Sequence, residues 1–104
     1  MVYVVLKSYY PTNKVEEVLK IFMELVKKYP PDDSIAETLI RGAGKPTENG
    51  AEGMSIWKLK EGKFDLMAKR IMSAMAMFNN VEGFGWTVEL WSTAEESMGA
   101  QAGQ

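Results

Sequence analysis

The side chains able to do chemistry in this chain are few, and their types restrict what that chemistry is. None of its 104 residues is a histidine or a cysteine. That removes the commonest general base, the usual transition-metal ligand, thiolate nucleophiles, disulfides, iron–sulfur clusters and the proximal haem histidine. Acid–base work falls to Glu, Asp, Lys and Tyr. One set stands out: Lys7 and Tyr9, then Ser55 and Trp57, then Thr87, Glu89 and Trp91. Residues two apart share a face of a strand, so if the three stretches are neighbouring strands they form a surface with aromatic walls and a few convergent polar groups. Small-molecule sites have this composition. These seven are the candidate ligand-binding residues, with Lys7 and Glu89 placed to face each other. Glu89 is the one candidate catalytic group, because desolvation between tryptophans would raise its pKa towards that of a base. In a plainer alternative, Trp57 and Trp91 pack a subunit interface, where aromatics are enriched, and Lys7 with Glu89 is a rim ion pair of little worth.

Two further features have structural explanations. Gly42-Ala43-Gly44-Lys45-Pro46-Thr47 lacks the glycine and the hydroxyl residue that a phosphate loop needs, since Leu39 and Pro46 stand in those places, and it reads as a flexible loop. The eight methionines, Met67, Met72, Met75 and Met77 among them, read chiefly as core filling on an inward helical stripe, with Leu66 and Met77 falling off that stripe.

The elements that must position these residues follow from periodicity. Met1 to Tyr10 is β-branched and aromatic and ends at Pro11, a first strand. Asn13-Lys14-Val15-Glu16 has the form of a capping box, and Val15, Val18, Leu19, Phe22, Leu25, Val26 and Tyr29 draw a helical stripe up to Pro30-Pro31. Ser34 to Ala43 predicts a second, edge strand, Gly42 to Gly50 a loop, and Met54 to Leu59 a third strand. Phe64, Met67, Ala68, Ile71, Met72, Met75 and Phe78 give a second helix, Gly85 to Trp91 a fourth strand, and Ser92-Thr93-Ala94-Glu95 the start of a short helix to about Met98. Residues 1–98 form one domain in this reading, and 99–104 a flexible tail.

This order predicts an α+β, ferredoxin-like β-α-β-β-α-β fold: a four-stranded antiparallel sheet with two helices on one face. Strand alternation sends Trp86, Val88 and Leu90 towards the helices. In the third strand it is expected to send Met54 and Ile56 to the core and Ser55, Trp57 and Leu59 to the open face. The first strand is apolar on both faces, which calls for cover on both. A single chain has only two helices to offer, so a second copy is expected to cover the open face.

The run Val2-Tyr3-Val4-Val5 leading to a helix, Lys60-Glu61-Gly62-Lys63 opening another, Val81-Glu82-Gly83-Phe84 entering the last strand and Thr93-Ala94-Glu95-Glu96 after it resembles the dimeric α+β-barrel superfamily. That group includes antibiotic-biosynthesis-type monooxygenases, haem-degrading enzymes and stress-responsive barrels. The resemblance implies a homodimer whose two sheets enclose a cavity. Haem binding is not expected in a chain without histidine.

Composition bounds the partners. With 46% hydrophobic and 25% charged residues the chain is an ordinary globular one, and a formal charge of -2 gives no general attraction to nucleic acid or to anionic membrane. No signal peptide precedes the first strand and the longest apolar run is too short to span a bilayer, so a cytoplasmic location is the default expectation. Three readings of function remain open: a homodimer binding a small, partly apolar ligand between its sheets, with no cofactor; a cofactor-independent monooxygenase acting on an aromatic substrate; and a regulatory or assembly module.

Overall fold

The computed structural model describes residues 2–102, and side-chain surroundings for residues 2–98. Strand β1 spans Val2–Pro11, a single 3-10 turn Thr12–Lys14 leads into helix α1 at Val15–Lys28, and β2 (Ala36–Pro46) and β3 (Gly50–Leu59) form a long hairpin. Helix α2 spans Phe64–Ala76, β4 Gly85–Ser92 and a terminal helix α3 Ala94–Ala102. The four strands form one antiparallel sheet in the order β2-β3-β1-β4. The chain is therefore α+β with the element order that periodicity predicts. No helix among the described residues is long and apolar enough to cross a membrane.

The core lies between the two helices and one face of the sheet. Val4 and Leu6 from β1, Leu59 from β3 and Ala36 from β2 meet Val18 and Leu25 of α1 and Met67, Ile71, Ala74 and Met75 of α2. Phe78 and Val81 close it behind α2. At about 25 cal/mol per Å² of apolar surface removed from water, this layer is the main term holding helices to sheet.

One expectation is reversed. The register pairs Val4 with Trp57 and Leu6 with Ser55, so Ser55, Trp57 and Leu59 face the helices, and Met54 and Ile56 lie on the open face beside Lys7 and Val5. Both faces of β3 are apolar at alternate positions, so alternation alone does not choose between them. Trp57 and Leu59 carry the larger apolar area, and the one polar residue moved inward keeps a partner: the Gly42 backbone N–H donates to Ser55 Oγ at 3.0 Å. Burying a hydroxyl is tolerated when it is hydrogen-bonded.

Several boundaries also differ. The segment expected to be a loop over Gly42 to Gly50 is mostly paired, because β2 continues through two register shifts to Pro46 and turns over only Thr47 to Asn49. A bulge absorbs the glycines: Gly42 has φ +70°, a conformation open to glycine at no steric cost. The expected capping box at Asn13 does not form. Asn13 sits inside the 3-10 turn, and Lys14 precedes α1 without a side-chain cap. At α3 the cap is one residue later than expected, with the Glu96 amide donating to Thr93 Oγ1 at 3.2 Å. Helix α3 runs to Ala102 rather than to about Met98, and the last two residues of the expected tail lie outside the described residues. On α2, Met67 and Met75 are buried and Met77 packs against the core, while Met72 is exposed. The expected inward stripe is thus narrower at Met72 and wider at Met77.

Trp86, Val88 and Leu90 do face the helix side, paired with Ser8, Leu6 and Val4. The helices lie over β2, β3 and β1, however, and leave these three 39%, 40% and 53% exposed.

Candidate ligand site

The sheet splits the seven candidate residues into two groups. Lys7, Tyr9, Thr87, Glu89 and Trp91 share the open face. Ser55 and Trp57 are on the other side, under the helices. On the open face Lys7 Nζ is 3.7 Å from Glu89 Oε1, a partly exposed pair one step diagonal in the ladder, and Trp91 Nε1 donates weakly to the same oxygen at 3.4 Å. Glu89 is therefore engaged by one cation and one indole N–H. Trp57, expected to wall it, is beyond the backbone of β1. Tyr9 borders a separate open notch beside the hairpin turn.

A larger, partly open space lies on the helix side. A cavity of about 320 Å³ separates α1 and α2 from β2, β3 and β1, at the lower end of the ~300–1,000 Å³ usual for ligand pockets. Its walls are mostly apolar, with Leu19, Phe22 and Leu25 from α1, Ile71 and Met75 from α2 and Trp57 from the sheet. Gly42 makes part of the wall possible, since a Cβ there would run into the Phe22 ring.

The cavity has two chemically different ends. Helix α1 starts at Val15, five residues after Tyr10, and at ~1.5 Å per residue its C-terminal end at Tyr29 is roughly 20 Å from that start. Near the start, Tyr10, Phe84 and Phe78 form a stack, with ring centroids 6.1 and 4.5 Å apart. Near the end are Tyr29, Asp32, Arg41 and Arg70. Arg41 donates to the Tyr29 carbonyl at 2.8 Å and Arg70 donates to that of Pro30, with the Arg70 guanidinium 5.7 Å from the Tyr29 ring centre. The first contact satisfies the C-cap carbonyl that the end of α1 leaves without a partner and the second the carbonyl just beyond it, where cations are also favoured by the helix dipole.

Burial, and secondarily the charge of Arg70, lower the Arg41 pKa from its ordinary value, although a guanidinium stays protonated at neutral pH. Asp32 is held below its ordinary value by the hydroxyl and then the amide of Ser34, with lesser help from Arg70 and Lys63. Among the described residues, neither arginine has a carboxylate within ion-pair distance, and no three acidic side chains gather as a metal site would require.

Strand alternation missed Arg41, Arg70 and Tyr29. A signal was available: these are the only two arginines in the chain, set among ten lysines, and arginine is the residue suited to fixed, planar hydrogen bonding.

No protein-family model matches the chain, and no curated protein matches it. Among solved structures it is similar to a de novo designed protein, Foldit4, at 14% identity over 88% of this chain and 97% of that one, with a TM-score of 0.54. That likeness shows the fold alone. A crystal structure of protein Atu4242 from Agrobacterium tumefaciens overlaps 90% of this chain and 94% of its own, at 18% identity and a TM-score of 0.46.

Proposed function

We propose that this protein binds a small, partly apolar ligand and works as a homodimer, with the ligand in the space between α1, α2 and the sheet rather than between two sheets. The observation that carries this reading is the cavity itself. Cores are normally packed to near crystal density with few voids larger than a water, and a partly open, mostly apolar space of about 320 Å³ between helices and sheet is room for a small ligand. Ser55 and Trp57 are the expected ligand-binding residues that line it.

The open face supports the second copy. Tyr3, Val5, Ile56 and Met54 form an apolar strip along β1 and β3. The charges around it cancel within one chain: Lys7 with Glu89, Lys45 with Glu52 at 3.5 Å, and Lys58 opposite Glu37. Two such faces can meet without bringing like charges together.

Acid–base use of Glu89 in an oxygenase has less support, because Lys7 pairs with the carboxylate and Trp57 is on the opposite side. An assembly role would draw on Leu66 and Met72, exposed on α2 at 49% and 63%.

The test is binding of the neutral fluorophore N-phenyl-1-naphthylamine. One molecule per chain is expected, with the enhanced emission of an apolar site. Thr38, on the edge strand β2, also lines the cavity, and Thr38→Trp is expected to fill the space and abolish the signal while leaving the far-UV spectrum and melting transition in place. Undiminished binding by a folded Thr38→Trp variant, or no binding by the wild type, overturns the reading.

A further inference from the structure

We propose that the cavity selects an amphipathic carboxylate, its apolar body lying between the helices and the sheet and its carboxylate held by Arg41 and Arg70. This rests on the ligand-binding reading above and adds the chemical class of the ligand.

Three observations carry it. First, the only two arginines of the chain, 29 positions apart, converge on one end of one cavity. Each guanidinium spends a donor on a neutral backbone carbonyl, at Tyr29 and Pro30. Each has five N–H groups, so both keep donors for a further acceptor. Second, among the described residues no carboxylate is in ion-pair contact with either guanidinium. Asp32 lines this end and feels the charge of Arg70, but its carboxylate is bonded to Ser34, and Lys63 adds another positive charge nearby, so one carboxylate faces three cations. Two like charges brought together beside an apolar wall repel each other, and an anion between them relieves that repulsion. Third, the charged side chains that line the space, Asp32, Arg41 and Arg70, are gathered at one end. The far end is bordered by the stacked rings of Tyr10, Phe84 and Phe78, which suits a hydrocarbon or an aryl group and offers little to a second charge. A compact ion such as free phosphate would leave the apolar length empty, and a neutral hydrocarbon would leave the guanidinium donors without an acceptor.

A matched pair of probes separates the head from the body: octanoate against 1-octanol, and 2-naphthoate against 2-naphthol, titrated calorimetrically at neutral pH. The wild type is expected to bind each carboxylate about ten- to a hundredfold more tightly than its alcohol, the range of a charge-assisted hydrogen bond. Arg41→Gln and Arg70→Gln are each expected to remove most of that ratio and leave the alcohols' affinity within about threefold. Both arginines also hold the end of α1, so Arg41→Lys and Arg70→Lys serve as second variants. They keep the charge but lose the planar fork, and an intermediate ratio is expected. Retained alcohol binding certifies that the cavity is intact in every variant. Equal affinity for acid and alcohol in the wild type, or a ratio untouched in the Gln variants, overturns the anionic head while leaving the cavity reading standing. Failure of all four probes together with the naphthylamine removes the cavity reading itself. Preference between octanoate and naphthoate reports which kind of body the cavity takes.

Discussion

Gly42 joins three features at a single residue. It sits in the bulge of β2 with φ +70°, its N–H donates to the buried Ser55 hydroxyl, and its missing Cβ leaves room for the Phe22 ring. A Gly42→Ala variant therefore meets two penalties. The ring is the far end of a mobile side chain and can swing away, but the positive φ is strained for any residue with a Cβ. A loss of about 1–3 kcal/mol is expected, read as a lower denaturation midpoint with an unchanged m-value. Ser55→Ala should cost about 1 kcal/mol through the orphaned Gly42 N–H. If both variants melt like the wild type, the bulge does not position the cavity wall as described. Ser55 was legible as a site residue by alternation but not on the correct face. Nothing in β3 read alone says which of its two half-apolar faces turns inward. The register with β1 and the satisfied hydroxyl decide that, and both are long-range facts.

At the scale of elements, the order of strands and helices was readable because each has a clear period. Alternation marks β1, β3 and β4, and three- and four-residue spacings mark α1 and α2. What was not readable is how chain ends of elements are satisfied. Asn13 and Glu16 have the spacing of a capping box, yet the chain leaves β1 at Pro11 through a 3-10 turn that places Asn13 one residue too early, with its side chain exposed. The hairpin departs from its sequence pattern for a related reason. Glycine, proline and an Asn-Gly pair usually mark a loop, but here they build a bulged edge strand, where glycine and proline are tolerated because one side of the strand has no partner. A direct consequence is that Asn13→Ala should change stability by no more than about 0.5 kcal/mol. A working N-cap would lose ~0.5–2 kcal/mol. A loss in that upper range, measured by chemical denaturation, would mean that α1 begins with the cap its sequence suggests.

At the scale of the whole molecule, the sheet is the divider between two jobs. One face holds the helices, the core and the cavity, and the other carries the apolar strip with its internally cancelled charges. The helices reach only three of the four strands, so β4 has apolar side chains exposed on both sides: Trp86, Val88 and Leu90 towards the helices and Trp91 away from them. Within one chain the strip is only half covered, with Val5 9% exposed and Tyr3, Met54 and Ile56 intermediate, while Trp91 beside it is 57% exposed; a face-to-face pair burying the standard ~800 Å² on each partner would remove the remaining apolar surface from water. Sedimentation equilibrium at micromolar concentration is expected to give twice the chain mass of 11.7 kDa. Ile56 is the residue to change, because it sits beside Val5 in the middle of the strip and points away from the cavity. Ile56→Glu puts an unpaired carboxylate into the seam of both copies, and burying such a charge costs more than a seam of this size can return. The variant should sediment as a single chain and still bind the naphthylamine probe, since the two faces are separated by the backbone of the sheet. A wild type that sediments at 11.7 kDa, or an Ile56→Glu variant that remains paired, assigns the strip to some other neighbour. Loss of probe binding together with pairing would instead mean that the cavity takes its shape from the second copy, and that the two faces of the sheet are coupled.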